Sequence, residues 1–200
     1  MIRTYIQSER GMATVEFAAL LSMILLMVFV IVDFGGLIQA QAVVTNISRE
    51  GGSLASRDLK NGPDLINLLE ASSSPLDFQA NPSRYKIYIA KVNAGVDSNN
   101  PDPTCTVQEG GQLTGVSLYS PAASPTCDLT QSLYDLLKFD DTIQASPISQ
   151  LTVVKVFYVH QPITPMESVF KASGNSVMNF NFSGQGTDND SILLSSKSIF

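Results

Sequence analysis

Residues 17–32 form a run of 16 residues without a charge, and Ser22 is its one polar side chain. Nothing else in the chain constrains the fold as strongly. Extending back to Met12 adds Ala13, Thr14, Val15 and a single carboxylate, Glu16. At roughly 1.5 Å of rise per residue, about 20 such residues in a helix cover the ~30 Å hydrocarbon thickness of a bilayer. The run is expected to insert into a membrane. A cleavable secretory signal is the rival reading, because Ala40-Gln41-Ala42 has the small-x-small form of a cleavage site. Against it, the run is longer than the apolar segment of such signals, and Asp33 opens a long gap before Ala40.

Charge is segregated around this run. The ten residues before Gly11 carry Arg3 and Arg10 against Glu9. After Val32, ten basic residues face 16 acidic ones, so this part carries the whole formal net charge of −6. The basic end is expected to stay in the cytoplasm while the acidic body crosses. The acidic balance argues against nucleic acid as a partner, since phosphate binding needs clustered Lys and Arg. Both cysteines, Cys105 and Cys127, follow the run and so face an oxidising compartment, where a disulfide between them is expected. It would restrict the unfolded chain by roughly 3 kcal/mol in the loop-entropy model. The competing metal site falls short of four ligands, with two thiols and the distant His160.

Beyond Asp33, apolar residues recur at Phe34, Leu37, Ile38, Ala42, Val44 and Ile47, as one broad stripe of a continuing helix. The pattern predicts one helix from about residue 12 to 57, weakened at Gly35-Gly36 and Gly51-Gly52 and ended by Asn61-Gly62-Pro63. Asp64 is placed to cap a short helix over residues 65–71, and residues 72–75 read as a linker. Strands are expected over residues 85–92 and 151–159, with a weak one at 115–119; residues 177–182 alternate apolar and polar side chains, and residues 192–200 are available to supply a last strand. The run 151–159 is apolar on both faces except Lys155, which suits a central strand. Between them Asp128 is expected to cap a helix with Leu129, Leu133, Leu136 and Leu137 on one face. Helix first, then strands with one short helix inserted, predicts an α+β fold with a mainly antiparallel sheet. The organisation expected is a leader (1–11), a membrane-spanning helix (12–32), its exported amphipathic extension (33–60), a short helix and linker (61–84), and an exported α+β domain (85–200).

The junction itself is specific. Ser8-Glu9-Arg10-Gly11 followed by Met12-Ala13-Thr14-Val15-Glu16-Phe17 and the apolar run resembles the type IV prepilin pattern. Residues 10–18 are similar to the RGxAxVEFA opening of TadE-like proteins, minor pilins of the tight-adherence (Tad) pilus system. Ile31-Val32-Asp33-Phe34-Gly35, Val44-Thr45-Asn46-Ile47-Ser48-Arg49-Glu50-Gly51 and the strand-and-turn Val156 to Pro165 extend the likeness. Ser22 stands where that family is expected to carry a helix proline, and Ile47-Ser48 replaces its usual Ala pair.

The resemblance implies a pilin-like fold, cleavage between Gly11 and Met12 by a prepilin peptidase, and assembly with other pilins and minor pilins through the N-terminal helix. It implies a single-pass protein of the bacterial inner membrane, in contact with lipid, with its C-terminal domain periplasmic or carried outside in the pilus. A carboxylate in an apolar helix costs a few kcal/mol unless paired. The new Met12 ammonium, one helical turn from Glu16, would pair with it on the same subunit or a neighbour. The alternative is a signal-anchored membrane protein whose exported domain binds a ligand or partner, with Glu16 reaching back to the headgroups.

No catalytic residue, cofactor or metal ligand is assigned, and the chain is expected not to be an enzyme. His160, the sole histidine, has no nucleophile motif near it and is read as a structural or exposed strand-end residue. Asp188-Asn189-Asp190 is oxygen-rich but lacks the spaced glycine and final Glu of a calcium-binding EF-hand loop, so a polar turn is expected there rather than a Ca²⁺ site. Asn46, Asn181 and Asn189 begin N-x-S triplets to which no function is assigned.

Overall fold

Residues 85–93 and 150–160, rich in β-branched and aromatic side chains, form the centre of the fold. The computed structural model describes residues 2–57, 62–116, 127–143, 145–161, 163 and 192–200. Its elements in chain order are α1 (Ile2–Ser56), α2 (Gly62–Ala71), β1 (Tyr85–Asn93), β2 (Thr104–Gly110), α3 (Gln131–Leu137), β3 (Gln150–His160) and β4 (Ile192–Ile199). The four strands make one sheet in the order β2-β1-β3-β4, and every pairing is antiparallel. The fold is α+β. Two compact units divide the described residues: one holds α1 through Ile38, and the other runs from Gln39 to Gln161 and includes β4.

Both faces of the sheet are covered, which is why β1 and β3 are apolar on both sides. On one face Ile87, Ile89, Val154 and Val156 are buried, and the last turns of α1 together with α2 lie over them. Phe78 stacks between Tyr85 and Tyr158 at centroid distances of 4.3 and 5.6 Å. The Tyr85 hydroxyl donates to Glu70 Oε1 at 2.5 Å, and burial followed by that bond raises its pKa above the ordinary phenol range. On the other face Tyr88, Ala90, Val92, Val153 and Phe157 pack with Cys127, Leu129 and Leu137.

Within this second unit the buried stripe of α1 is Ala40, Val44, Ile47, Ser48, Gly51, Gly52 and Ala55, at steps of three, four and one. Phe34, Ile38 and Ala42, expected on that stripe, are exposed instead. Nor are the glycines weak points, because α1 runs unbroken through both pairs. A Cβ on Gly51 would lie 2.9 Å from Leu69 Cδ1 and 3.3 Å from Val154 Cγ1, and one on Gly52 would meet the Phe200 ring at 2.1 Å. The glycines at 51 and 52 let the helix backbone approach the sheet. The Ser48 and Ser198 hydroxyls hydrogen-bond across the same contact at 2.7 Å.

Several local expectations change. Helix α1 begins at Ile2, so the leader is helical; the downstream helix supplies the nucleus, and Gly11 alone costs only about 1 kcal/mol. Helix α2 starts at Gly62, which puts Asp64 inside its first turn. Ser73, read as linker, is buried: its hydroxyl donates to the Glu70 carbonyl at 2.6 Å and accepts the Phe78 N–H at 2.9 Å. Strand β2 was not expected, whereas Gly115 and Val116 lie in no strand and residues 117–119 fall outside the described residues. So does the alternating run over residues 177–182.

Asp128 caps nothing. The N-cap position of α3 is Thr130, which makes no side-chain capping bond, and Leu136 points to solvent while Leu137 is buried. Asp128 has a left-handed backbone, φ 60°, and its Oδ2 lies 3.0 Å from Lys155 Nζ and 2.9 Å from Lys197 Nζ. Those two lysines sit directly opposite each other on β3 and β4. Like charges in that relation repel, so the carboxylate between them is what makes the register tolerable.

Two outcomes follow for stability. Gly51→Leu overfills a site walled by fully buried Leu69 and Val154, so thermal unfolding is expected to show a loss of about 1–3 kcal/mol. Gly35→Ala, with nothing within 4 Å of its Cβ, is expected to cost nothing and to gain at most about 1 kcal/mol from helix propensity. For Asp128, burial opposes the charge, but hydrogen bonds and positive charge from Lys197 and Lys155 outweigh it and lower the pKa. The ionised form therefore stabilises the fold, fully above the ordinary carboxylate pKa of about 3.9, and the gain is lost as pH falls through the lowered value. Asp128→Asn is expected to cost about 1–3 kcal/mol at pH ~7 and progressively less below pH ~4. Paired melts of wild type and variant across that range check it.

Candidate functional site

The candidate site is the first part of α1. Every residue from 12 to 28 is exposed, including Met12, Val15, Phe17, Leu20, Met23, Ile24 and Met27. Water-soluble folds rarely leave contiguous apolar surface beyond a few hundred Å² uncovered, so this helix surface calls for lipid or other helices. The helix is long and apolar enough to cross a membrane. Its polar groups are consistent with that setting. Ser22 returns its hydroxyl to the Ala19 carbonyl at 2.8 Å, satisfying the one hydroxyl of the run inside its own helix. At the far end of the run the Asp33 carboxylate accepts the Ile163 N–H at 3.0 Å.

Glu16 lies on this surface, exposed and four residues from Met12, so the two share one helix face one turn apart. Among the described residues no ion pair reaches its carboxylate. Gly11 belongs to the same continuous helix, with Met12 the residue after it. The structure thus brings Gly11, Met12 and Glu16 together on consecutive turns.

The other sequence-derived positions lie elsewhere. Cys105 on β2 and Cys127 are joined in a disulfide, with Cα atoms 6.3 Å apart. His160 ends β3 and is buried, not exposed. Among the described residues no group of three or more His, Cys, Asp or Glu side chains is arranged to hold a metal. Asn46 is exposed on α1; Asn181, Asp188, Asn189 and Asp190 lie outside the described residues. Asp128 escaped the sequence reading, because an aspartate shortly before a leucine-patterned segment reads first as a helix cap.

Comparison with curated proteins and with solved structures gives no match. A family model does match, over the stretch that holds Gly11, Met12, Glu16 and most of the buried stripe of α1. Residues 11–53 of this chain match the TadE-like protein family.

Proposed function

We propose that the chain is a minor pilin or pseudopilin that takes part in assembly of a Tad pilus, the adhesive filament of surface attachment. In this reading it is a structural subunit, not an enzyme, and uses no cofactor. A prepilin peptidase cuts it after Gly11 on the cytoplasmic side. The mature helix anchors it in the inner membrane with the C-terminal domain periplasmic, then packs against the helices of other pilins in the filament. The observation that carries the reading is the extent of the family match, which begins at Gly11 and includes Glu16. The physical support is the exposed apolar face with one carboxylate a turn from the new amino terminus. In a packed filament core that carboxylate requires a counter-charge, and the Met12 ammonium supplies one.

Processing is tested at Gly11. A peptidase site at the membrane edge needs a small residue at the cut, so Gly11→Leu is expected to remain full length in the membrane and to stay out of filaments. N-terminal sequencing reads the outcome: Met12 for wild type and Met1 for the variant. Normal maturation of Gly11→Leu counts against the reading, and a wild-type start at Val43 would mark a secretory signal instead.

Assembly is tested at Glu16. In a plain signal anchor with a partner-binding domain, Glu16→Ala removes a desolvation cost and leaves insertion and folding unharmed. In a pilin it strands the Met12 ammonium where helices pack, at a cost typical of a broken buried pair, about 3–5 kcal/mol. The mature variant is expected to accumulate in the membrane, folded, while its recovery in sheared surface filaments falls. An unchanged ratio of sheared to membrane-bound protein, beside wild type that shears normally, returns the chain to the anchor class.

A further inference from the structure

Residues 127 and 128 hold both edges of the sheet at once. Cys127 is bonded to Cys105 on the edge strand β2. Its neighbour Asp128 is paired with Lys155 on β3 and Lys197 on the opposite edge strand β4, and its backbone carbonyl also accepts from Lys197 Nζ. Cys105 is in register with Val92, Lys155 with Tyr88, and Lys197 with Lys155, so all three anchor points lie on one face. Strands lie about 4.8 Å apart, so the two edges are about 14 Å apart across the sheet, and the step from Val92 to Tyr88 adds about 13 Å along it. Two residues span at most about 7 Å of that, and the disulfide, the Asp128 side chain and the lysine stems supply the rest. Both residues adopt left-handed backbones, φ 51° and 60°, a conformation that aspartate accepts more readily than cysteine.

We propose that Cys127 and Asp128 form an oxidation-dependent strap: closing the bond to Cys105 sets Asp128 between Lys155 and Lys197 and so locks the far edge strand, β4, in register. The step is a thiol–disulfide exchange. The two thiols give up two protons and two electrons, the Sγ–Sγ bond forms, and a disulfide-bearing oxidant is reduced to two thiols. Without the bond, Asp128 is held by its own ion pairs and by the packing of the segment that carries Cys127, Leu129 and Leu137. Once the strap is released, Lys197 loses its ion pair with Asp128, and β4 loses one contact that fastens it to the rest of this face. Strand β4 is the element for which this matters: Ser195, Ser196 and Ser198 bring little apolar surface, and 31 residues separate it from β3. The inference stands apart from the pilin reading, since it concerns only how the domain closes.

The test is hydrogen–deuterium exchange on the full chain in detergent micelles, oxidised and after reduction, for wild type, Asp128→Asn and Lys197→Met. In oxidised protein both variants are expected to speed exchange of residues 192–199 about tenfold, as for loss of one charge-assisted bond. Reduction of wild type is expected to do the same while β1 keeps its protection. In reduced protein Asp128→Asn is expected to change β4 by less than about twofold, because the strap is already released. Equal Asp128→Asn effects in both redox states overturn the proposal. So does unchanged β4 exchange on reduction. Loss of β1 protection along with β4 overturns it as well, because the disulfide would then hold the whole sheet and not its far edge.

Discussion

The close approach of α1 to the sheet at Gly51 is the contact on which the sheet domain depends. A backbone that must come within a methyl group's distance of Leu69 and Val154 leaves no room for a side chain. The flanking buried residues are small or β-branched for the same reason: Ala40, Val44, Ser48 and Ala55 keep the helix close along its length. With one face of β1 and β3 covered by that helix and by α2, their other face needs its own cover. Helix α3 and the segment of Cys127 and Leu129 provide it. The strands can then be apolar on both sides without exposing a hydrophobic face to water.

The fold was legible in the sequence where one kind of signal stood alone. The strands β1 and β3 were readable because β-branched and aromatic residues dominate runs of at least eight positions, and the helix because 16 uncharged residues, all but Ser22 apolar, admit little else. Strand β2 was not. Its Thr104, Thr106, Gln108 and Glu109 are polar, and its neighbours are loops rich in Asn, Asp, Pro and Gly. This edge strand turns Cys105 and Val107 to the core and the rest largely to water, an alternation too short to stand out from its surroundings. Glycine was misread from the opposite side. Helix propensity counts Gly51 and Gly52 as defects, whereas the packed structure uses the missing side chain, and only tertiary context tells the two apart.

The site divides in the same way. Gly11, Met12 and Glu16 are neighbours in sequence, so their arrangement on adjacent helical turns could be read directly. Asp128 could not be: its partners lie 27 and 69 residues away, and nothing local distinguishes an aspartate that bridges two lysines from one that caps a helix. Sequence reading finds chemistry that is built along the chain. It misses chemistry built across the sheet, and the lysine pair on β3 and β4 is of that second kind.

Strands β3 and β4 are neighbours in the sheet although 31 residues join them, and their pairing is fixed by eight registered positions and not by the connection. The entropy of closing such a loop rises only with the logarithm of its length, about 0.6 kcal/mol for each doubling. A twofold change in the number of residues between His160 and Ile192 therefore alters the closure entropy of this pairing by only about 0.6 kcal/mol.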